Sequence, residues 1–312
     1  MRIVLVDPSR AIQRAMTGLI VSGEQEVFAC SQGQEALERI AADDEVGTLI
    51  TSVQLADISG IQLCAAARKL VGSRRALFII VMSSTDDYGQ VVQALDNGAD
   101  DFIRKPPFPE ELRARLRAAS RFTSMQRDLI RYATTDSLTG FLNRRAFFAD
   151  AIEACSAADA GSPFSVILFD VDRFKRINDE HGHQAGDLVL AKLGASVRTV
   201  SEGLVGRLGG EEFCLLLSSD LADAIEVAEN LRQSIKALDF TEIGSFEVTC
   251  SFGVAEWESG DTIDRILRRA DIAMYEAKNT GRDRVIAADS FVVTDRHDKW
   301  RGVARAATTR KQ

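Results

Sequence analysis

The sequence predicts an α/β domain joined by a long helix to an α+β domain. In the first part of the chain, fully apolar runs alternate with segments of helical periodicity, a pattern typical of a parallel sheet with helices on both faces. In the second part, two strands flank the pair Gly209-Gly210, which favours a sandwich with an antiparallel hairpin. A chain of 312 residues can bury two separate cores.

The composition excludes several classes of protein. With 46% hydrophobic and 27% charged residues the chain is of globular type, and a net charge of −8 argues against a general nucleic-acid binder. The N-terminal apolar run is too short for a signal peptide or a membrane span, so we expect a cytoplasmic protein. The five cysteines are scattered and form no Cys-x-x-Cys pair, which predicts reduced core thiols.

The first domain is predicted over residues 1–120 as a doubly wound parallel sheet. Its strands are short apolar runs at Ile3–Val6, Thr48–Thr51, Leu77–Met82 and Asp101–Arg104. The helical segments between them comprise one with apolar residues at Ile12, Met16 and Leu19, and others at Gln34–Ile40, Ile61–Leu70 and Tyr88–Leu95. Ligands of such a sheet bind at the carboxyl ends of its strands.

A linking helix is predicted over residues 109–134, because Glu110 to about Ala133 contains no Gly or Pro and is rich in helix formers. Its second part carries apolar residues at alternating spacings of four and three: Ala118, Phe122, Met125, Leu129 and Tyr132. This stripe either forms a coiled coil with a second copy or packs on its own domain. We expect dimerisation.

The second domain is predicted over residues 134–287. Its strands are expected at Phe164–Phe169, Leu204–Leu208, Phe213–Leu217 and Phe246–Phe252, and its helices at Leu188–Val200, Leu221–Leu238 and Ile263–Lys278. The last helix is expected to end at Gly281. Residues 288–312 form a basic tail to which no function is assigned.

Two motifs in the second domain carry carboxylates. An apolar strand ends at Asp170 and turns into a helix, an arrangement that offers free N–H groups to phosphate and a carboxylate to a hard cation. An Asp in this place also serves as a simple turn or cap residue. Beyond the glycine pair, Glu211 opens the next strand and could meet Asp170 across a metal site. The alternative is an ordinary hairpin with solvated acids.

A third motif is basic and lies at the end of the last helix. Lys278 and Arg282 are four residues apart, so that both cations can face one anion. Basic residues also favour helix C-termini for reasons of the helix dipole alone.

Together with the segment that runs from Asp136 to Arg145 (DSLTGFLNRR), these motifs resemble the GGDEF family in order and spacing from about Thr134 to Ala287. The family signature has a leucine where this chain has Phe141. The resemblance implies a nucleotidyl-cyclase-like, or palm-like, fold. It also implies a diguanylate cyclase that condenses two GTP into cyclic di-GMP and two pyrophosphates.

The resemblance implies roles for individual residues. Asp170 and Glu211 match catalytic carboxylates that hold two Mg²⁺ per active half-site, with Mn²⁺ as a substitute, and the carbonyl of Val171 matches a further ligand. Glu211 also matches the group that helps to deprotonate the attacking 3′-hydroxyl. The guanine-reading pair corresponds to Asn178 and Asp187, and the phosphate-binding groups correspond to Lys278, Arg282 and the amides near Arg173 and Phe174.

The resemblance has two further consequences. Each GTP must attack the other, so that two sites have to face one another across the two-fold axis of a homodimer. Many relatives carry an Arg-x-x-Asp product-inhibition site, but this chain has Val200 and Gly203 at those positions. We therefore expect no feedback through that site.

The first domain resembles response-regulator receivers of flavodoxin-like fold. Lys105, Ser83 and Asp7 match three of the pocket residues of that family, but Ser52 stands at the phosphoacceptor position and Pro8 replaces a second acid. Because an acyl phosphate needs a carboxylate nucleophile and Mg²⁺ needs clustered oxygens, we expect a degenerate receiver that is not phosphorylated. Asp57 is expected to be a solvated turn residue. The domain would serve dimerisation or bind a protein partner.

Two other functions compete with a cyclase. One is a non-catalytic scaffold that binds GTP or cyclic di-GMP; the presence of Asp170, Glu211, Lys278 and Arg282 favours catalysis over it. The other is a DNA-binding response regulator, for which the sequence offers no output helix-turn-helix and the wrong charge.

Overall fold

The computed structural model of the protein describes residues 1–288 except 21–24, 85–87, 159–161, 201–202 and 245. The chain divides into two compact units, Met1–Arg131 and Tyr132–Gln312. The predicted basic tail lies outside the described residues beyond Ala288. No helix in the described ranges is long and apolar enough to cross a membrane.

The first unit is a five-stranded parallel sheet with helices between its strands, which confirms the predicted fold class. The strands are β1 (Arg2–Val6), β2 (Glu26–Cys30), β3 (Val46–Ser52), β4 (Phe78–Ser83) and β5 (Asp101–Arg104), in the order β2-β1-β3-β4-β5. The helices are α1 (Arg10–Ile20), α2 (Gly33–Ala42), α3 (Gly60–Val71), α4 (Tyr88–Asp96) and α5 (Pro109–Thr134).

Apolar cores lie on both faces of this sheet. One contains Val4, Leu49 and Val81, and the other contains Ile3, Ile50 and Ile80. Because successive strand residues point to opposite faces, a strand buried on both sides must be apolar throughout. Strand β2 was not predicted: it lies at the sheet edge with its first four residues only partly buried or exposed, so it lacks a continuous apolar run.

Helix α5 buries a different face from the predicted stripe. Its buried residues are Leu112, Leu116, Ala119 and Thr123. Of the predicted stripe, Phe122 packs edge-on against Phe78 with ring centroids 5.5 Å apart, whereas Met125 and Leu129 are each 67% exposed. Met125 and Leu129 therefore do not pack on their own domain, so that this alternative is wrong for them. Dimerisation through these two residues stays a prediction.

The second unit has one mixed six-stranded sheet. Its strands are β6 (Leu142–Asn143), β7 (Ser165–Val171), β8 (Leu204–Gly209), β9 (Glu212–Leu217), β10 (Cys250–Glu256) and β11 (Arg284–Ala287), in the order β11-β10-β7-β9-β8-β6. Its helices are α6 (Arg144–Ala158), α7 (Phe174–His181), α8 (His183–Val200), α9 (Leu221–Lys236) and α10 (Ile263–Asn279). The predicted hairpin is present, because β8 and β9 pair antiparallel.

Strand β7 is central, since it pairs antiparallel with β9 on one side and β10 on the other, and all its residues are buried. Alternate side chains enter two cores: Ile167 and Phe169 point to one face, and Val166 and Leu168 to the other. Phe169 stacks between Phe213 and Phe252, with ring centroids 5.1 and 5.0 Å away. This packing holds the carboxyl end of β7 in one place.

The predicted strand Phe246–Phe252 is wrong in its bounds, because β10 begins at Cys250 and continues to Glu256. Phe246 lies before β10, and its ring stacks on the rings of His181 and Phe240, with centroids 4.4 and 5.7 Å away. Gly253 allows the strand to continue under α10, since a Cβ there would lie 2.0 Å from the carbonyl oxygen of Ala270.

All five cysteines are free, as predicted. Four are buried, and Cys155 is only partly so because its helix lies near the surface.

Candidate active site

The carboxyl end of β7 delivers a buried carboxylate. Asp170 is only 6% exposed and forms an ion pair with Lys278, in the last turn of α10, with 2.7 Å between Nζ and Oδ1. Burial raises the pKa of the Asp170 carboxyl to about 6; Lys278 opposes the rise, and the charges of Glu211 and Glu212 add to it. Without its ammonium partner, a carboxylate here would be strongly disfavoured.

The glycine hairpin brings two acids beside this carboxylate. Glu212 is the cross-strand partner of Asp170, and the Val171 N–H donates to the carbonyl of Glu211 at 3.3 Å. Gly210 has φ +30°, a left-handed turn conformation that glycine adopts without strain. Two carboxylates, those of Asp170 and Glu211, therefore share one end of the sheet with the Val171 backbone.

Arg207 ties this hairpin to the start of the domain. Its guanidinium donates twice to the carbonyl of Gly210, at 2.9 and 2.7 Å, and to both carboxylate oxygens of Asp136 at 3.0 Å. Burial alone would raise the pKa of Asp136, but bonds from Thr139 and Arg207 outweigh it and hold that pKa below its ordinary value. Asp136, the first residue of the DSLTGFLNRR segment, thus helps to fix the hairpin through Arg207.

The oxygen ligands at this end of the sheet suit a hard cation. Carboxylate and carbonyl oxygens are the ligands that Mg²⁺ prefers, usually as one or two carboxylates completed by water and substrate phosphates. Two carboxylates and a backbone carbonyl are available at Asp170, Val171 and Glu211. The described part of the chain holds no cluster of three or more His, Cys, Asp or Glu side chains placed to bind a metal, so the substrate would have to complete the coordination.

The predicted guanine pair lies at the junction of α7 and α8. A Cβ on Gly186 would stand 2.0 Å from Oδ1 of Asn178, so only glycine lets this amide approach α8 so closely. Asp187 follows directly and is exposed. The structure thus brings Asn178 next to the segment that carries Asp187.

The predicted phosphate-binding residues lie where two helices meet the sheet. Arg173 has φ 54° and ψ 31°, a left-handed conformation that turns the chain from β7 into α7 and leaves the first amides of α7 without helical partners. Arg282 follows the end of α10, with φ 64°. A cleft of about 350 Å³ is lined by Arg173, Arg176 and Arg282, and also by His181, Phe246, Glu180 and Glu247. Asp170, Glu211 and Lys278 are not among its lining residues.

Asp172 and Asp283 are neighbours in space to which the sequence assigned no role. Asp172 is 7% exposed, and its carboxylate accepts hydrogen bonds from two hydroxyls and from the backbone N–H of Asp283 at 3.1 Å. In the sequence, Asp172 stands out only as an acid two residues after Asp170, at the end of an apolar strand. This position does not reveal which distant residues bond to its carboxylate.

The residues that match the receiver pocket lie together in the first unit, as the contacts of Lys105 show. Lys105 forms an ion pair with Asp7, which is 1% exposed, and its Nζ donates to Oγ of Ser52 at 2.7 Å. Ser83 is buried, and its carbonyl accepts from the N–H of Lys105 at 2.8 Å. The carboxylate of Asp7 is therefore already paired with the lysine.

Asp57 is exposed, as expected, but is more than a turn residue. Its two carboxylate oxygens accept from the N–H groups of Gly33 and Gln34, at 3.0 and 2.9 Å, at the start of α2. These backbone bonds lower the pKa of Asp57 to about 2. A carboxylate used as a cap for a neighbouring helix is not placed as an acceptor of phosphate.

Comparison with known proteins agrees with both halves. The model of the "Diguanylate cyclase, GGDEF domain" family matches residues 133–284, and that of the "Response regulator receiver domain" family matches residues 3–117. Response regulator PleD of Caulobacter vibrioides is 35% identical over 91% of this chain and 65% of its own length. Diguanylate cyclase DgcM of Escherichia coli is 40% identical over 53% of this chain and 40% of its own length.

A solved structure extends the comparison to the fold. The coiled coil and GGDEF domain of DgcB from Caulobacter crescentus, in complex with c-di-GMP, is 30% identical, covers 57% of this chain and 99% of its own, and gives a TM-score of 0.52. The fold and the family matches together define a chain with a receiver domain ahead of a GGDEF domain. The chain belongs to the GGDEF family, and it spans 65% of the length of its PleD relative.

Replacing Asp170 by Asn is expected to remove a pH-dependent destabilisation. Because the folded pKa of about 6 lies above the unfolded value of about 3.9, the folded state binds the proton more tightly, and its stability falls as pH rises from about 4 to 6. In metal-free buffer, the free energy of unfolding of Asp170→Asn relative to the parent should rise by up to about 3 kcal/mol across that window.

Denaturant unfolding at a series of pH values measures this difference. Asp239→Asn is the control, since bonds from Thr241 lower the pKa of Asp239 and its pH-dependent contribution has the opposite sign. A difference between Asp170→Asn and the parent that stays constant from about pH 4 to 6.5 would contradict the raised pKa.

Acetyl phosphate with Mg²⁺ is expected to leave the protein unlabelled, because a hydroxyl, that of Ser52, stands at the phosphoacceptor position and the carboxylate of Asp7 is paired with Lys105. Intact-mass spectrometry measures the addition of a phosphoryl group. A label that disappears in Ser52→Ala and persists in Ser83→Ala would show that Ser52 accepts phosphate after all.

Proposed function

We propose that this protein is a diguanylate cyclase, which condenses two GTP into cyclic di-GMP and two pyrophosphates. The observation that carries the proposal is the buried Asp170, held by Lys278 at 2.7 Å, with Glu211 beside it at one end of the sheet. This concentration of opposite charges suits a metal-bound triphosphate. The name of the DgcM relative, a diguanylate cyclase, supports the same activity.

Asp170, Glu211 and the carbonyl of Val171 would hold two Mg²⁺ per half-site, and Mn²⁺ could replace them. Bound there, the metal would neutralise phosphate charge and assist ionisation of the attacking hydroxyl. The raised pKa of Asp170 implies that a proton competes with the cation near pH 6. We expect activity to fall below that pH.

The basic residues would bind the triphosphate. Lys278 and Arg282 lie at the end of α10. The amides of Arg173, which precedes α7, and of Phe174, its first residue, have no helical acceptors and suit phosphate oxygens. Lys278 would exchange Asp170 for phosphate when a cation takes over the carboxylate. Arg282 can donate two parallel hydrogen bonds to phosphate.

Asn178 and Asp187 would select guanine. A carboxylate at Asp187 can accept from both N1–H and N2–H of guanine, and adenine offers no such pair of donors. The exposure of Asp187 leaves its carboxylate accessible to a base. The close approach of Asn178 to Gly186 would hold the amide in a fixed place for the base.

In the reaction, Glu211 would help to remove the proton from the 3′-hydroxyl of one GTP. The 3′-oxygen then bonds to the α-phosphorus of the second GTP, and the bond from that phosphorus to the bridging oxygen breaks as pyrophosphate leaves. The second bond forms in the same way with the roles exchanged. A homodimer with two facing sites is therefore required.

The receiver would regulate this dimer without being phosphorylated. Its pocket carboxylate is paired with Lys105, so the input would come from a protein partner or from the receiver's own dimerisation. The exposed Met125 and Leu129 on α5 are candidates for the contact between two copies.

Incubation of the purified protein with GTP and Mg²⁺ is expected to yield cyclic di-GMP, identified by chromatography and mass. Glu211→Gln should lower the rate at least about 100-fold, because the amide neither accepts the hydroxyl proton nor contributes a charge to the metal site. Glu242→Gln serves as a matched control, since Glu242 is exposed and pairs with Lys192 away from β7.

Two outcomes would contradict the proposal. A parent protein that binds GTP but forms no cyclic di-GMP would be a scaffold, and a Glu211→Gln variant as active as the parent would remove Glu211 from the chemistry.

A further inference from the structure

We propose that Asp172 is a positioning residue for Arg282: it fixes the turn after α10 and thereby aims the Arg282 guanidinium at the triphosphate. The inference rests on the proposed function, because it takes the nucleotide to bind beside Arg282. It assigns a task to a buried acid that is neither a metal ligand nor a base in the proposed reaction.

The bonds of Asp172 reach two separate elements. Its Oδ1 accepts from Oγ of Ser251 at 2.7 Å, and its Oδ2 accepts from Oγ1 of Thr249 at 2.7 Å and from the N–H of Asp283 at 3.1 Å. Its own N–H donates to the carbonyl of Thr249 at 2.8 Å. Asp172 is thus anchored to the segment entering β10, and it holds the backbone just beyond Arg282.

The turn that it holds is one that the chain would not adopt by itself. Arg282 and Asp283 have φ values of 64° and 45°, and two consecutive residues other than glycine in the left-handed region are strained. Such a conformation persists where the surroundings determine it from several sides. From the helix, the N–H of Arg282 donates to the carbonyl of Ala277 at 2.9 Å.

A second anchor acts on the same turn from α9. The carboxylate of Asp283 receives Nη1 of Arg232 and Nζ of Lys236, both at 2.6 Å. The side chain of Asp283 is therefore fixed by α9 while its N–H is fixed by Asp172. The backbone that carries Arg282 is therefore held between Asp172, just beyond β7, and helix α9.

The Arg282 side chain itself is left available. Within the described ranges its guanidinium has no ion pair or hydrogen bond, although its neighbour in sequence is tied down on both sides. It lines the cleft of about 350 Å³ together with Arg173 and Arg176, and Glu180 and Glu247 line this cleft as well. A fixed backbone under an unpaired guanidinium is the arrangement expected of a preorganised anion contact.

A purely structural role makes a different prediction. If Asp172 served only to satisfy the buried hydroxyls of Thr249 and Ser251, its loss would lower stability without affecting Arg282. If it positions Arg282, its loss weakens nucleotide binding only as long as Arg282 is present. A double-mutant cycle separates the two roles.

The measurement is the dissociation constant of the α,β-methylene analogue of GTP with Mg²⁺, by calorimetry, because this analogue cannot release pyrophosphate and binding is read without turnover. Asp172→Asn in the full chain is expected to weaken binding about tenfold, and Arg282→Ala roughly ten- to a hundredfold. The double variant should bind no more weakly than Arg282→Ala alone. Asp239→Asn should bind like the parent, because the carboxylate of Asp239 accepts hydrogen bonds from Thr241 in its own loop and takes no part in the ion pairs of Asp283.

Asp283→Asn is the second variant, for use where Asp172→Asn does not fold. It removes the ionic anchor on α9 and leaves the buried hydroxyl bonds of Asp172 in place. Its loss of affinity should also vanish in the Arg282→Ala background.

The outcomes are distinct. Losses that disappear without Arg282 support the positioning role. An Asp172→Asn or Asp283→Asn variant that is folded, as judged by its thermal unfolding, and binds as tightly as the parent overturns it, as do losses that add to that of Arg282→Ala. A parent that does not bind the analogue refutes the proposed function itself, and the inference with it.

Discussion

The second domain depends on one electrostatic constraint, which is a carboxylate buried at the end of its central strand. Asp170 is 6% exposed because β7 is covered on both sides and both faces, and two further acids stand beside it on the hairpin. Burying a charge is costly unless an opposite charge compensates it. Lys278 supplies that compensation here. The same excess of acid makes the site suitable for cations and, through them, for a triphosphate.

The first domain also buries a carboxylate, and a lysine of the same domain compensates its charge. Its buried carboxylate, Asp7, is paired with Lys105, and Ser52 completes the contact with a neutral hydroxyl. The charges of Asp7 and Lys105 therefore match. Three acids with one lysine at Asp170 contrast with the matched pair of Asp7 and Lys105, and under the proposed function the first site would be catalytic and the second regulatory.

The sequence predicted the elements whose pattern lies in consecutive residues. The apolar runs of β1, β3 and β4 and the Gly-Gly hairpin were predicted because burial on both faces and a tight turn leave their mark on consecutive residues. The half-exposed edge strand β2 and the four-residue β11 leave no such mark. Nor could the bonds of Asp172 be foreseen, since Thr249 and Asp283 are 77 and 111 residues away in the chain. Long-range partners become visible only in the fold.

The most direct test is a crystal structure with the α,β-methylene analogue of GTP and Mn²⁺, whose anomalous scattering locates the cation. The account predicts a cation between Asp170 and Glu211, the analogue's phosphates beside it, and Nζ of Lys278 transferred from Asp170 to a phosphate oxygen. A nucleotide bound elsewhere, or Lys278 still paired with Asp170 and no cation between the two acids, would contradict it.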